Sequence, residues 1–101
     1  MSISSTTTTN SYLSTPGEIL REEFMEPYGI SAYRLARATG LSETAIGEIV
    51  KGKRAITVRT AWLLAEALRT TPQFWLNLQS DYDLLSFDAG QLTEVEPLIP
   101  A

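Results

Sequence analysis

The sequence predicts an all-α fold, and three observations carry that prediction. Apolar residues recur at three- and four-residue intervals in five successive stretches. A Ser or Thr stands immediately before each stretch, and Gly or Pro marks the junctions between them. No stretch alternates apolar and polar residues as a half-buried strand would.

Residues 1–14 are uncharged, Ser/Thr-rich and without periodicity, the composition of a disordered tail. Thr15 then caps a helix with Pro16 at its first position, and Glu18 completes a capping box. Ile19, Leu20, Phe24 and Tyr28 mark its buried face, and Pro27 with Gly29 ends it. Ser31 caps AYRLARAT, closed by Gly40, a residue free to take the left-handed conformation that follows a helix. Ser42 caps ETAIGEIVK, which stops at Gly52. Thr57 caps VRTAWLLAEALRT, apolar at positions 58, 61, 65 and 68. Thr71 caps PQFWLNLQSDYDLLSF, again with Pro first. Residues 15–87 thus read as one five-helix domain, and residues 88–101, with two prolines and three acids, as an acidic tail.

Composition narrows the function. At 101 residues and 44% hydrophobic, the chain lies near the low end for a self-sufficient core, where dimerisation often completes the burial. It contains no Cys and no His, so the usual zinc sites and the Ser-His and Cys-His nucleophile pairs cannot be built. No enzyme, metal or cofactor is expected. The longest apolar runs, such as residues 61–65, are far too short to span a bilayer, and the N-terminus lacks the plan of a signal peptide. A cytoplasmic protein without a membrane partner is the expectation.

The net charge of −4 conceals a basic centre. Arg34, Arg37, Lys51, Lys53, Arg54 and Arg59 outnumber Glu43 and Glu48 between residues 28 and 60, while residues 81–101 hold five acids and no base. An electrostatic footprint for phosphates therefore survives locally. The neighbouring pairs Glu22-Glu23 and Asp81-Asp83 read as solvated surface, and Tyr33 and Trp62 as core or half-buried side chains.

The second and third helices carry the function. Two short helices about a Gly-containing turn, with the small Ala36 where they cross, are the parts of a helix-turn-helix. Ile46, Ile49 and Val50 supply the packing side of the second of them. Ser42, Glu43, Thr44, Ala45, Gly47, Glu48 and Lys51 are left for the major groove of double-stranded DNA. Lys53 and Arg54 follow at once, placed to grip phosphate, and Ser31, Ala32 and Tyr33 open the other helix toward a second phosphate. The fifth helix is apolar on more than one side, so Phe74, Trp75, Leu78, Tyr82 and Leu85 are expected at a symmetric dimer interface. Such a dimer sets its two recognition helices about 34 Å apart on a pseudo-palindromic operator.

The segments TPGEILREEFMEPYGIS, IVKGKRAIT and QFWLNLQSDYDLL resemble those of HigA-type antitoxins, within the Xre/Cro-like (lambda-repressor-like) helix-turn-helix family. The resemblance runs from Pro16 to about Leu85. It implies a five-helix homodimer that neutralises a HigB-like ribonuclease toxin and represses its own operon.

Two departures stand out. Thr15 occupies a position that the family usually gives to His, and the recognition helix opens on Ser42, Glu43, Thr44 and Ala45 where relatives often carry a basic or amide side chain. Glu can accept from cytosine N4, and Thr or Ala can touch a thymine methyl. As surface residues, Glu43 suits the first-turn dipole and Glu48 forms an i,i+3 pair with Lys51. Two other readings stay open: a stand-alone transcriptional regulator without a toxin, and a protein-interaction module that has lost DNA readout.

Overall fold

A computed structural model describes residues 14–92 and 95–101. Among them the chain forms helices α1 (residues 16–28), α2 (Ala32–Thr39), α3 (Glu43–Val50), α4 (Val58–Leu68) and α5 (Pro72–Ser86), with no strand. A single 3-10 turn, Ala89–Gln91, follows α5. The tail expected over residues 1–14 lies, up to residue 13, outside the described residues.

Each helix starts at the cap that the sequence marks. The side chains of Thr15, Ser31, Ser42, Thr57 and Thr71 accept from the backbone N–H of Glu18, Arg34, Ala45, Thr60 and Phe74. A cap of this kind is worth about 1 kcal/mol, which matters for helices of two turns. At α1 the capping box is complete, because the Thr15 N–H also donates to Glu18 Oε1 at 3.0 Å.

Pro27 does not stop α1 as expected. The helix runs through it to Tyr28, and Gly29 closes it with φ 63°. Instead, the preceding stretch Leu20–Met25 is π-helical. A proline lacks the N–H for an i→i−4 bond, and its ring crowds the carbonyl four residues back. The wider turn relieves both, with the Glu26 N–H donating five residues back to Arg21. The same widening stacks position 21 on 26, and Arg21 Nη1 donates to Glu26 Oε2 at 2.7 Å. That carboxylate, with weaker help from Glu22 and Glu18, raises the Arg21 pKa above its ordinary value.

The core is built from Leu20, Leu35, Ile46, Ile49, Ile56, Ala61, Leu64, Ala65 and Trp75. Trp75 corrects one interface expectation: it is 0% exposed and belongs to the monomer's own core. Phe24 of α1 and Phe74 pack on its ring at centroid distances of 5.3 and 4.9 Å, and its indole N–H donates to Thr70 Oγ1 at 2.8 Å. Burying the ring against α1 leaves its one polar atom satisfied, as a buried Trp requires. Conversely, Tyr28, Tyr33, Val58 and Trp62, expected to be buried or half-buried, are more than half exposed. Val58 sits in the first turn of α4, beyond the reach of the core.

α1 docks directly on the backbone of α3. Gly17 is buried, and a Cβ there would lie 1.7 Å from the Ile49 carbonyl oxygen. Only glycine lets the two helices approach this closely. At the other end of the fold, Leu84, Leu85 and Phe87 are exposed on and just beyond the last turn of α5, and Leu92, Val95, Leu98 and Ile99 continue the exposed apolar series. Among the described residues no helix is long and apolar enough to cross a membrane.

Candidate nucleic-acid interface

α2 and α3 meet across a turn of three residues, Gly40, Leu41 and Ser42. Gly40 takes φ 83° and donates its N–H to the Ala36 carbonyl at 2.8 Å. Thr39 stitches this turn in a way that its side chain alone does not announce. Its hydroxyl donates to the Leu35 carbonyl at 2.7 Å and accepts from the Leu41 N–H at 3.2 Å. A buried Thr that serves both sides of the turn fixes the entry of α3 without leaving a polar group unpaired.

Ile46 and Ile49 anchor α3 in the core, with Val50 half-buried beside them. Ala45 joins the buried side at 8% exposure, so it leaves the set expected to face DNA. Ala45 lies one turn before Ile49 and beside Ile46, on the side of α3 that packs into the core. Glu43 and Thr44 are exposed and Gly47 and Glu48 partly so. With Lys51 and Lys53 they line a shallow groove of about 430 Å³. A Cβ on Gly47 would meet nothing within 4 Å, so no packing among the described residues demands glycine there.

The end of α3 decides where the basic residues go. Gly52, with φ 78°, donates its N–H to the Ile49 carbonyl at 3.0 Å, and Lys53 donates to the Glu48 carbonyl at 2.8 Å. This pair of bonds is a Schellman motif, and it turns the chain back along the helix it has just left. Arg54 is thereby delivered to Glu48, six residues earlier. Its Nε and Nη2 both donate to Glu48 Oε1, the Nε bond at 3.0 Å. The pair replaces the expected Glu48–Lys51 contact. Glu48, a groove-side acid, is thus paired with a cationic donor.

The loop from residue 51 to 57 is also tethered from below. The Ile56 N–H donates to Gln79 Oε1 at 2.7 Å, and Gln79 Nε2 donates to Asp83 Oδ1 at 2.9 Å. Gln79 therefore links α5 to the segment that carries Lys53 and Arg54, a connection that sequence spacing does not reveal.

On the other side of the motif, Ser31 and Tyr33 are exposed at the start of α2, with Ala32 half-buried. Ser31 Oγ accepts from Arg34 N at 3.1 Å, which leaves its hydroxyl proton free for an outside acceptor. Ser42 is placed the same way at the start of α3. Arg37 Nη1 donates to the Tyr33 hydroxyl at 2.8 Å, and Arg37 Cζ lies 5.7 Å from the ring centroid. The two side chains stiffen each other on the outer face of α2.

Of the residues expected in the dimer interface, Leu85 is exposed and Phe74 marginally so, while Tyr82 and Leu78 are half-buried and Leu78 packs on the core. Leu84, one of the apolar residues of this helix but outside the expected interface set, is the most exposed apolar side chain of α5, at 74%. A hollow of about 610 Å³ lies between Leu76, Gln79, Asp83, Leu84, Phe87 and Ala89.

Comparison with known proteins agrees with this geometry. The profile of the helix-turn-helix family HTH_3 matches residues 22–75. Virulence-associated protein I of Dichelobacter nodosus is 49% identical over 69 residues, 68% of this chain and 64% of that protein. Antitoxin HigA-1 of Vibrio cholerae is 43% identical over 68 residues, 67% of this chain and 64% of that protein. The chain thus matches somewhat less than two thirds of the length of these two relatives. A solved structure of the Pseudomonas aeruginosa antitoxin HigA with the higBA promoter superposes with a TM-score of 0.77 at 40% identity, covering 86% of this chain and 99% of that one. The helix-turn-helix read from residues 31–54 is therefore the family's own motif, and the chain belongs to the HTH_3 helix-turn-helix family, among the relatives of HigA-type antitoxins.

Proposed function

We propose that this protein is the antitoxin of a HigBA-type module: a homodimer that binds a pseudo-palindromic operator, represses its own operon and neutralises a HigB-like ribonuclease toxin. It acts by binding, with no catalytic step and no cofactor, in the cytoplasm. Residues 15–87 are the DNA-binding and dimerisation unit, and residues 88–101 its acidic tail.

The observation that carries this reading is the folded-back loop after α3. It sets Lys53 and Arg54 against the exposed edge of a helix whose opposite side is anchored in the core. Lys51 and Lys53 then meet phosphates beside the groove, and the free hydroxyl protons of Ser31 and Ser42 meet others. The P. aeruginosa HigA that this chain resembles was solved with promoter DNA, which supports the same use of the motif here. For the dimer, the exposed Leu84, Leu85 and Phe87 offer apolar surface that a second copy would cover.

A mobility-shift titration against the protein's own promoter, repeated at several salt concentrations, tests the DNA half. Binding should weaken steeply with salt, and Lys53→Glu should weaken it alike on all sequences while flattening the salt slope. No shift at low salt leaves a protein-interaction module as the reading. Co-purification with the product of the adjacent gene tests the toxin half, and a chain that emerges alone is a stand-alone regulator.

A further inference from the structure

We infer that Arg54 reads a guanine in the major groove and that Glu48 is the positioning residue that aims it. The inference rests on the DNA-binding reading above and replaces the expectation that Arg54 grips phosphate.

The starting point is a deficit. α3 and its C-cap offer Glu43, Thr44, Gly47, Glu48 and Lys51 toward the groove, and none carries the planar fork of an Arg, Asn or Gln, Lys51 being a single ammonium. A planar fork must come from elsewhere, and Arg54 is the guanidinium that the fold brings to this helix. A phosphate-gripping arginine would be free to swing outward to the nearest strand. Arg54 stands just outside the groove lining and is tied to Glu48, a residue of that lining, by two hydrogen bonds to one carboxylate oxygen.

The choice of atoms matters more than the ion pair itself, since both partners are about half exposed and such surface pairs add little stability. Glu48 takes the side edge of the guanidinium, formed by Nε and Nη2. The end edge, formed by Nη1 and the second Nη2 proton, makes no hydrogen bond among the described residues. That end edge is the one able to donate in parallel to guanine O6 and N7. With the side edge engaged, even a weak surface pair biases the long side chain toward one orientation, so less rotational freedom is lost on binding. Glu48 thereby has a use on a DNA-facing surface that its charge alone would argue against.

The test uses the full-length protein, a preferred duplex obtained by selection from random DNA, and an unrelated duplex. Arg54→Lys keeps the charge and loses the fork. Its affinity for the selected site should fall by about tenfold or more per half-site, while binding to unrelated DNA and the salt slope hold. Glu48→Gln removes a negative charge, so it should bind unrelated DNA more tightly and the selected site more weakly. That opposite movement is something a merely repulsive acid cannot produce. Replacing the guanine contacted in each half-site by deazaguanine, which lacks the N7 acceptor, should weaken the wild type and leave Arg54→Lys no weaker than before.

If Arg54→Lys weakens both duplexes alike, or Glu48→Gln strengthens both alike, Arg54 is a phosphate contact and this inference falls while DNA binding stands. If the wild type binds neither duplex at low salt, the functional reading falls as well. Unfolding curves of the two variants, whose substituted side chains are exposed, should overlay the wild type and so exclude a folding defect.

Discussion

The α2–turn–α3 unit and the last two turns of α5 are both short, helical and rich in apolar residues, yet they meet opposite ends. In the first, the turn is closed by Gly40 and Thr39, the helix start by Ser42 and the helix end by Gly52. Its large apolar side chains, Leu35, Ile46 and Ile49, are almost fully buried. What it leaves exposed is mostly polar or charged, with Tyr33 and the small Ala38 as the exceptions. In the second, the backbone is equally regular, but Leu84, Leu85 and Phe87 stand in water. A segment whose requirements are met within the chain presents a surface for a soluble, charged partner. One whose apolar side chains are not covered is completed by a second body. Nucleic acid suits the first, and another copy of the chain suits the second.

The comparison breaks most visibly where α1 seats α3. Gly17→Ala places a Cβ where the Ile49 carbonyl oxygen already is, and backbone cannot step aside as a flexible side chain can. We expect a loss of about 3 kcal/mol, at the upper end for overpacking, read from urea or thermal unfolding. DNA binding should fail with it, since the packing side of α3 would lose its seat. A loss below about 0.5 kcal/mol, the scatter of ordinary surface changes, would show that α1 and α3 are not locked together.

The next effect separates the two regions. Leu84→Glu with Leu85→Glu places charges on exposed α5 positions and should leave the monomer fold intact. Sedimentation should then report a monomer, and affinity for a two-half-site operator should drop by about a hundredfold, the loss expected when a second binding event is no longer intramolecular. Affinity for a single half-site should be unchanged. A dimer that survives both substitutions would move the interface away from this end of α5.

These two regions also differ in how far they could be read from sequence. The helix starts were legible because a cap is a contact between residues three apart, and all five caps lie where Ser or Thr precedes an apolar-periodic stretch. Gly40 and Gly52 were legible for the same local reason. The failures are non-local. Trp75 reads as one more exposed aromatic of α5 until Phe24, from the other end of the domain, is laid on it. Ala45 reads as groove-facing until the packing of α1 and α2 fixes the rotation of α3. The contact between Arg54 and Glu48 is hidden from the sequence because it exists only after the chain has reversed at Gly52. The π-helical stretch in α1 lies between these cases: Pro27 is visible, but whether it ends a helix or shifts its hydrogen bonds depends on what lies on either side.

The smallest effect is the sharpest test of which face of α3 meets DNA. Glycine in the middle of a helix costs about 0.5–1 kcal/mol relative to alanine, and at Gly47 nothing among the described residues offsets that cost, because a Cβ would enter open space. If the monomer alone mattered, alanine would be the better residue. A partner within a methyl group of the helix backbone would supply a reason for glycine. Gly47→Ala should therefore raise unfolding stability by roughly 0.5–1 kcal/mol while lowering operator affinity, two changes of opposite sign from one added carbon. Affinity that held or rose with stability would mean that the groove face does not approach DNA closely at position 47. The contact would then have to centre on Lys51, Lys53 and Arg54, at the other end of α3.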